Sequence, residues 1–298
     1  MRTALVTGAS GFTGQYMVRS LKEAGYVVVG LGSSETAADE MVACDLTDAD
    51  AINAIVARVK PDVVVHLAAL AFVGHDDQKA FYHVNIFGTQ HLLNAVVRHV
   101  PNIEKVLIAS SANVYGTPGI ESISEDVTPR PVNHYACSKL AMECIVATYF
   151  EKLPIIITRP FNYTGPGQAV QFLIPKIVSH FVAGRKKIEL GNIDVSRDFS
   201  DVRDLVGAYT RLLTSAFKSG VINICSGEAM SLSSIIAMME EIAGYPIQVE
   251  VNPAFVRANE IPVLKGDPGR LAAEISLPPR IAMRQTLSDM YHSAPAAS

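Results

Sequence analysis

The sequence predicts an α/β fold, a doubly wound parallel sheet with a smaller, interleaved C-terminal domain. Three observations predict it: short β-branched runs alternate with helix-length segments, each run is apolar on both faces, and a glycine-rich turn follows the first run. Strands apolar on both faces are typical of a parallel sheet that helices cover on both sides. With 298 residues, of which 49% are hydrophobic, the chain has ample material for such a core.

The predicted central strands are five β-branched runs: Ala4 to Thr7, Val27 to Leu31, Val63 to Leu67, Val106 to Ser110 and Ile155 to Thr158. A sixth run, Val221 to Cys225, is predicted to return to the same sheet, so that two domains interleave along the chain. The larger domain is then residues 1–164 plus about 192–227. The smaller, substrate-binding domain is about 165–191 plus 228–298, where glycine, proline and polar residues loosen the pattern.

Composition excludes several classes of function. A net charge of −4 argues against a nucleic-acid partner, and the apolar stretch from Val63 to Ala71 is far shorter than a membrane span. The N-terminus turns glycine-rich after only six residues, unlike a signal peptide. The four cysteines, Cys44, Cys137, Cys144 and Cys225, form no C-x-x-C pair and no disulfide framework. We therefore expect a cytoplasmic protein with no membrane partner, and no metal site is predicted.

Three glycines, Gly8, Gly11 and Gly14, stand between the first predicted strand and a helix, in G-x-x-G-x-x-G spacing. Gly8 permits the tight turn, Gly11 lets the backbone approach a pyrophosphate, and Gly14 allows close packing of the helix. The helix N-terminus adds free amides and the positive end of a dipole. The pattern predicts a Rossmann-type dinucleotide-binding domain. Its predicted cofactor contacts in this turn are Gly8, Ser10, Gly11, Phe12, Thr13 and Gly14.

Tyr135 and Lys139 are four residues apart on a predicted helix, which places the phenol and the ammonium on one face. A phenol titrates at about pH 10, so a nearby cation must favour the phenolate before the group exchanges protons at neutral pH. Ser111, at the end of a predicted strand, adds a hydroxyl that can hydrogen-bond the reacting oxygen. In this order after a glycine turn, the three residues predict a catalytic triad.

At these residues the sequence resembles the extended short-chain dehydrogenase/reductase family, over essentially the whole chain. The resemblance implies further residues that line the cofactor: Asp45, Leu46, Leu67, Ala68, Ala69, Asn85, Tyr135 and Lys139. Two alternatives stay open, since His66 is either a contact or a satisfied strand-end histidine, and Asn85 either a contact or a helix brace. Ser33 and Ser34 follow the second strand, without the acidic residue that binds the ribose in NAD-specific sites. NADP(H) is therefore expected, with NAD(H) also accepted.

Two segments, residues 159–168 and 191–204, resemble the nucleotide-sugar branch of that family. The first resembles the segment that holds a substrate pyrophosphate, and the second resembles the GDP-mannose 4,6-dehydratase and GDP-4-keto-6-deoxymannose reductase branch. Arg197 and Arg257 are then implied to bind phosphate, and Glu260 a ribose. The implied substrate, a GDP-linked sugar by preference, is bound by Ser111, Asn162, Arg197, Arg257 and Glu260.

The two residues after Ser111 determine which reaction the resemblance implies. Dehydratases of the family carry a carboxylate there, because elimination of water needs further acid and base groups, and the fucose-synthase type carries a cysteine. Ala112 and Asn113 provide neither. The implied reaction is reduction of the C4 keto group of a GDP-4-keto-6-deoxyhexose to GDP-D-rhamnose, with Tyr135 as proton donor. A nucleotide-sugar 4-epimerase or 4,6-dehydratase, and a non-catalytic dinucleotide-binding regulatory protein, remain alternatives.

A homodimer is expected from two predicted helices, residues 88–98 and 136–150, that carry apolar residues on more than one face. The family resemblance implies that these helices pair across a two-fold axis into a four-helix interface, which closes at two subunits. Ordinary packing of the same residues onto the sheet is the alternative.

Overall fold

The computed structural model describes residues 1–70, 77–253 and 263–294. Its strands are β1 (Thr3–Thr7), β2 (Val27–Leu31), β3 (Glu40–Val42), β4 (Val63–His66), β5 (Lys105–Ala109), β6 (Ser122–Ile123), β7 (Ile155–Pro160), β8 (Asn162–Thr164), β9 (Lys187–Leu190), β10 (Ser196–Asp201), β11 (Gly220–Ile224), β12 (Ala229–Ser231), β13 (Gln248–Val251) and β14 (Val263–Gly266). Its α-helices are α1 (Phe12–Glu23), α2 (Ala49–Val59), α3 (Gln78–Tyr82), α4 (Thr89–His99), α5 (His134–Ala147), α6 (Leu173–Val182), α7 (Val202–Leu213), α8 (Leu232–Ala243), α9 (Gly269–Glu274) and α10 (Met283–Ser293). A π-helical turn, His83–Gly88, joins α3 to α4.

The main sheet has seven parallel strands in the order β11-β7-β5-β4-β1-β2-β3. The order runs outward in both directions from β1 and β4, so the carboxyl ends of these two strands border the crevice in which doubly wound folds bind ligands. This confirms the predicted fold class and the return of the last run, as β11, beside β7. The sequence did not predict β3, because its three residues at the sheet edge form no apolar run.

Each face of the main sheet has its own core. Ala4 and Val6 pack with α1 and α7, whereas Leu5 between them packs with α2, α4 and α5. This alternation follows from the two-residue period of a strand. The helices therefore hold the sheet rigidly from both sides, and the loops at its carboxyl edge carry the chemistry.

Strands from the second half of the chain, together with β6, form a second, smaller sheet. This sheet has the order β12-β10-β14-β6, with β8 paired to β10, and a separate apolar cluster joins α6, α8 and α10. Within the segment of about 192–227, β10 belongs to this smaller sheet, whereas β11 belongs to the main sheet. The division of the chain into two domains remains a prediction. Among the helices of the described residues, none is long and apolar enough to cross a membrane.

Candidate active site

The glycine-rich turn joins β1 to α1 at the carboxyl edge of the sheet. Gly8 has φ +69°, and a Cβ there would lie 2.8 Å from the Ala68 amide nitrogen. A Cβ on Gly14 would lie 2.0 Å from the carbonyl oxygen of Gly8. Helix α1 can therefore approach the turn this closely only because residue 14 is glycine. No side chain caps the beginning of α1, and its first turn contains no acidic residue. The amides there fit the diphosphate of a dinucleotide.

The next part of the predicted cofactor site is the end of β2. Ser33 and Ser34 are exposed there, and the Ser33 amide donates to Ser10 Oγ at 3.3 Å, which links the end of β2 to the glycine turn. Asp39 lies at the other end of β2, because its carboxylate accepts from the Val28 amide at 2.8 Å. Hydroxyls rather than a carboxylate therefore border the position that the ribose of a dinucleotide takes in this fold.

Asp45 and Leu46 precede α2 and differ in environment. The Asp45 carboxylate is exposed and accepts from both the amide and the hydroxyl of Thr47, each at 2.8 Å. Leu46 is buried, and its carbonyl oxygen lies 3.1 Å from Nδ1 of His91. Leu67, Ala68 and Ala69 follow β4 at the same edge of the sheet. Contact of these five predicted residues with a cofactor remains a prediction.

His66 ends β4 as a buried, neutral histidine. The Thr89 hydroxyl donates to the Asn85 carbonyl at 2.7 Å, so Thr89 Oγ1 accepts from Nε2 of His66 at 2.8 Å. Nδ1 of His66 then accepts from the Thr7 hydroxyl at 2.6 Å, which assigns the ring proton to Nε2. Burial, and secondarily the charge of Lys139, lowers the pKa of His66 to about 3. Both ring nitrogens of His66 thus have hydrogen-bond partners within the protein, which favours the alternative of a strand-end histidine over that of a cofactor contact.

Asn85 lies in the π-helical turn and is buried. Its Oδ1 accepts from the Leu70 amide at 3.0 Å, and its Nδ2 donates to Ser138 Oγ at 3.0 Å. Ser138 Oγ in turn donates to the Tyr135 carbonyl at 2.8 Å. The contacts are those of the predicted helix brace, because they tie the loop after β4 to the helix that carries Tyr135.

The neutral state of His66 predicts a pH-dependent stability. Between about pH 3 and the unfolded pKa of about 6.5, only the unfolded chain binds this proton, so the free energy of unfolding should fall as the pH falls through that window. The limiting slope is about 1.4 kcal/mol per pH unit, and the contribution vanishes above about pH 7. Urea unfolding measures the free energy of unfolding at each pH. Between about pH 7 and about pH 5, this free energy should change less steeply with pH in His66→Gln than in wild type. His292→Gln, at an exposed position, is the control, and a wild-type slope in His66→Gln would contradict the expectation.

The three predicted catalytic residues lie together at the carboxyl edge of β5. Tyr135 and Lys139 are buried on α5, and Ser111 lies two residues after the end of β5. Burial raises the pKa of Tyr135 to about 12, while its hydrogen bond with Ser111 lowers it. Lys139 Nζ donates to the Ala109 carbonyl at 2.7 Å. Burial lowers the pKa of Lys139 to about 8, and the charge of Glu143 opposes this shift. The buried phenol is therefore protonated at neutral pH and can act as a proton donor.

Two functional candidates were missed from the sequence, Glu143 and Arg159. They form a buried ion pair, with Arg159 Nη2 at 2.6 Å from Glu143 Oε2 and Arg159 Nε at 3.0 Å from Oε1. A signal existed, because Glu143 follows Lys139 by four residues on the same helix, and Arg159 is a charged residue within a strand that begins with three isoleucines. Charged residues in such positions are buried only when paired.

Asn162 and Arg197, predicted substrate contacts, are brought to adjacent strands. Asn162 on β8 lies opposite Phe199 of β10 and donates to the Asp198 carbonyl at 3.2 Å. Arg197 stands two residues before Phe199, on the same side of the strand, and its Nη1 donates to the Ser196 carbonyl at 2.8 Å. The other two predicted contacts, Arg257 and Glu260, lie outside the described residues.

Asp198, beside Arg197, is a buried carboxylate that the sequence did not single out. One of its oxygens accepts from the amide and the hydroxyl of Ser226, at 2.9 and 2.8 Å. The other accepts from the amides of Gly227 and Gly266, at 2.9 and 3.2 Å. These bonds fix β10 against the turn that follows β11 and against the last residue of β14, and so determine where Arg197 stands.

A doubly wound sheet, a glycine turn at the beginning of α1 and a buried Ser111, Tyr135 and Lys139 group together define an extended short-chain dehydrogenase/reductase. The comparison with known families agrees: residues 4–225 match the NAD dependent epimerase/dehydratase family, and the chain belongs to it.

Its relatives include GDP-sugar oxidoreductases. The GDP-6-deoxy-D-talose 4-dehydrogenase of Aggregatibacter actinomycetemcomitans is 40% identical, over 96% of both chains. The GDP-6-deoxy-D-mannose reductase of Pseudomonas aeruginosa is 32% identical, over 95% of this chain and 93% of its own. The structure of RMD from Pseudomonas aeruginosa complexed with NADPH superposes with a TM-score of 0.87 at 30% identity, over 98% of each chain. The protein is therefore an enzyme of the nucleotide-sugar branch of the family, as predicted.

Proposed function

We propose that this enzyme uses NAD(P)H to reduce the C4 keto group of a GDP-4-keto-6-deoxyhexose, giving GDP-D-rhamnose. The observation that carries the proposal is the buried phenol of Tyr135, which is protonated at neutral pH and lies on the helix that also carries the buried Lys139. The GDP-sugar relatives support the substrate class, since one is a GDP-6-deoxy-D-mannose reductase and the other a GDP-6-deoxy-D-talose 4-dehydrogenase. Both activities interconvert a C4 alcohol and a C4 ketone, and the two alcohols differ in configuration at C4.

In the proposed reaction, the protein residues manage the proton and the charge on O4. When bound, the reduced nicotinamide supplies a hydride to C4. Tyr135 donates its proton to O4 as negative charge develops there, and the Ser111 hydroxyl stabilises the same oxygen by a hydrogen bond. The Lys139 ammonium, held by the Ala109 carbonyl, favours the phenolate that Tyr135 becomes. Burial of all three side chains keeps water from competing for the proton.

The alternative of a 4,6-dehydratase is disfavoured by the residues next to Ser111. Ala112 and Asn113 begin a short 3₁₀-helical turn, in which the Asn113 amide donates to Ser111 Oγ at 3.2 Å. Neither side chain can act as the additional acid or base that removal of a C5 proton and a C6 hydroxyl requires.

A second candidate product is GDP-6-deoxy-D-talose, which the relative at 40% identity favours. It differs from GDP-D-rhamnose only in the configuration at C4. The same three residues serve both reactions, because the product depends on which face of the C4 carbonyl the sugar presents to the hydride. The substrate contacts, Asn162 and Arg197 among them, determine that orientation.

The test is incubation of the purified protein with GDP-4-keto-6-deoxymannose and NADPH. We expect stoichiometric oxidation of NADPH and formation of a GDP-6-deoxyhexose. The proton coupling between H3 and H4 of the product is large for rhamnose and small for 6-deoxytalose, so NMR distinguishes the two candidates. GDP-mannose alone should not react. Release of a 4-keto sugar from GDP-mannose without added reductant would contradict the proposal, because it would identify a dehydratase.

We propose NADP(H) as the preferred cofactor, with NAD(H) also accepted, and expect kcat/KM to be higher for NADPH by a modest factor. Ser33 and Ser34 are exposed just after β2, and their hydroxyls can donate hydrogen bonds to a 2′-phosphate. Ser33→Asp should lower kcat/KM for NADPH by about tenfold through repulsion of the 2′-phosphate, with a smaller effect for NADH. Steady-state kinetics with both cofactors measure this, and a strong NADH preference of the wild type would be the opposite result.

We also propose that the protein is a homodimer. Leu92, Leu93 and Val96 of α4 are buried in the subunit's own core, so they are not available to a partner. The apolar surface that remains at these helices includes Phe87, which is 45% exposed, and the partly buried Ile145. Light scattering at micromolar concentration should give twice the mass of the chain, and a monomer would remove the proposal.

A further inference from the structure

We propose that Glu143, held by Arg159, is a positioning residue that fixes the place and the charge of Lys139 during proton transfer. The inference rests on the proposed function, since it assigns a role within the same site. It depends on a contact pattern between the end of β5 and one face of α5.

Three consecutive residues, from the last residue of β5 onward, each act on a different residue of α5. The Ala109 carbonyl accepts from Lys139 Nζ at 2.7 Å, the Ser110 hydroxyl donates to Glu143 Oε1, and the Ser111 hydroxyl lowers the pKa of the Tyr135 phenol. Positions 135, 139 and 143 are spaced by four residues, so their side chains lie on one face of the helix. Along the chain, Ser110, the partner of Glu143, stands between the residues that act on Lys139 and on Tyr135.

The partner of Glu143 is rigidly placed. The Arg159 guanidinium binds both carboxylate oxygens, and the two side chains are only 6% and 5% exposed. The guanidinium also lies over the Tyr115 ring, 4.8 Å from its centre. Arg159 Nη1 is buried, with no hydrogen-bond partner within the described part of the chain. A bidentate pair of this kind allows the carboxylate one orientation.

Stability does not explain the pair well. Apolar side chains of similar volume often replace a buried ion pair without loss, and an unsatisfied buried donor is a cost. A role in the site explains why charge is retained at this position. Glu143 holds Ser110, and thereby the two neighbouring contacts that orient Lys139 and Tyr135.

The electrostatic effect of Glu143 on Lys139 has a definite sign. Tyr135 and Glu143 face Lys139 from its own helix, His66 faces it as a neutral ring from β4, and Arg159 reaches the region from β7. The Glu143 carboxylate raises the pKa of Lys139, against the burial that lowers it. Removing this charge while Arg159 stays cationic should lower the pKa of Lys139, so its ammonium would be lost at a lower pH.

The first experiment measures kcat and KM for NADPH-dependent reduction of GDP-4-keto-6-deoxymannose by Glu143→Gln over a range of pH. We expect kcat to fall by about 10- to 100-fold with KM nearly unchanged, because misplacement of the proton-transfer groups affects chemistry more than binding. In the pH profile of kcat, the decline on the alkaline side should occur about one pH unit lower than in wild type. In Glu143→Asp, which retains the charge, kcat should decline at the same alkaline pH as in wild type. Glu151→Gln, at an exposed position just beyond α5, should behave as wild type.

The second experiment does not need turnover. In protein labelled with ¹³C at the ε carbon of lysine, the resonance absent from Lys139→Arg identifies Lys139, and its titration midpoint is compared in wild type and Glu143→Gln. We expect a midpoint about one pH unit lower in the variant. An unchanged midpoint overturns the inference, even if kcat falls. A lowered midpoint in a protein whose wild type does not reduce the keto sugar would support the inference and contradict the proposed function.

If Glu143→Gln does not fold because Arg159 is left unpaired, the double variant Glu143→Leu/Arg159→Met takes its place in the titration. It leaves no charge buried at the pair and should fold. Because the charge of Glu143, and not that of Arg159, shifts the pKa of Lys139, a lowered Lys139 midpoint is again the expected result, and a wild-type midpoint again overturns the inference.

Discussion

Replacing Tyr135 with phenylalanine is expected to lower kcat for reduction of GDP-4-keto-6-deoxymannose by at least about 10²- to 10⁴-fold. In the proposed reaction this buried phenol, which is protonated at neutral pH, donates its proton to O4. Because proton transfer stabilises only the transition state, binding of NADPH and of the nucleotide sugar should change little. Isothermal titration with NADPH and with GDP, together with single-turnover kinetics, separates the two effects.

The matched control is Tyr149→Phe. Tyr149 follows the same helix, is 8% exposed like Tyr135, and donates its hydroxyl to Asn94 at 2.7 Å, away from the site. It should retain activity. Ser111→Ala should be less damaging than Tyr135→Phe, since it removes one hydrogen bond to the developing oxyanion, worth roughly 2.7–4 kcal/mol in comparable sites. Turnover by Tyr135→Phe at a rate near wild type would exclude the phenol as the proton donor.

Gly14→Ala should have the second large effect, on cofactor binding and on stability together. Its Cβ would lie 2.0 Å from the Gly8 carbonyl oxygen and 2.7 Å from that of Ala9, and both are backbone atoms that cannot rotate away. The beginning of α1 would have to move from the glycine turn. We expect the Kd for NADPH to rise by at least about 100-fold, which corresponds to about 2.7 kcal/mol, and the free energy of unfolding to fall by about 3 kcal/mol.

Gly207→Ala in α7 is the control for this change. It also adds a methyl group to a helical glycine, but nothing lies within 4 Å of the added Cβ. There the helix propensity of alanine should raise the free energy of unfolding by up to about 1 kcal/mol, with NADPH binding unchanged. Urea unfolding and NADPH fluorescence titrations measure both variants. Wild-type affinity for NADPH in Gly14→Ala would refute the fit of the dinucleotide to this turn.

The sequence by itself determined the features that depend on neighbours along the chain. Alternation of apolar runs predicts the main strands because a strand buried on both faces must be apolar throughout. The glycine spacing predicts the turn, since steric contact with the backbone excludes a Cβ at Gly8 and Gly14. The four-residue spacing of Tyr135 and Lys139 predicts their common helix face, which is a property of helix geometry alone.

Only the tertiary structure decided the contacts between residues distant in the chain. The pairing of Glu143 with Arg159 requires α5 to pack beside β7, and the contact with Ser110 requires the end of β5 to face the same helix. The neutral state of His66 depends likewise on hydroxyls from β1 and α4, because its proton position follows from which partner must donate. Local spacing cannot encode these contacts, since they arise from the packing of whole strands and helices against one another.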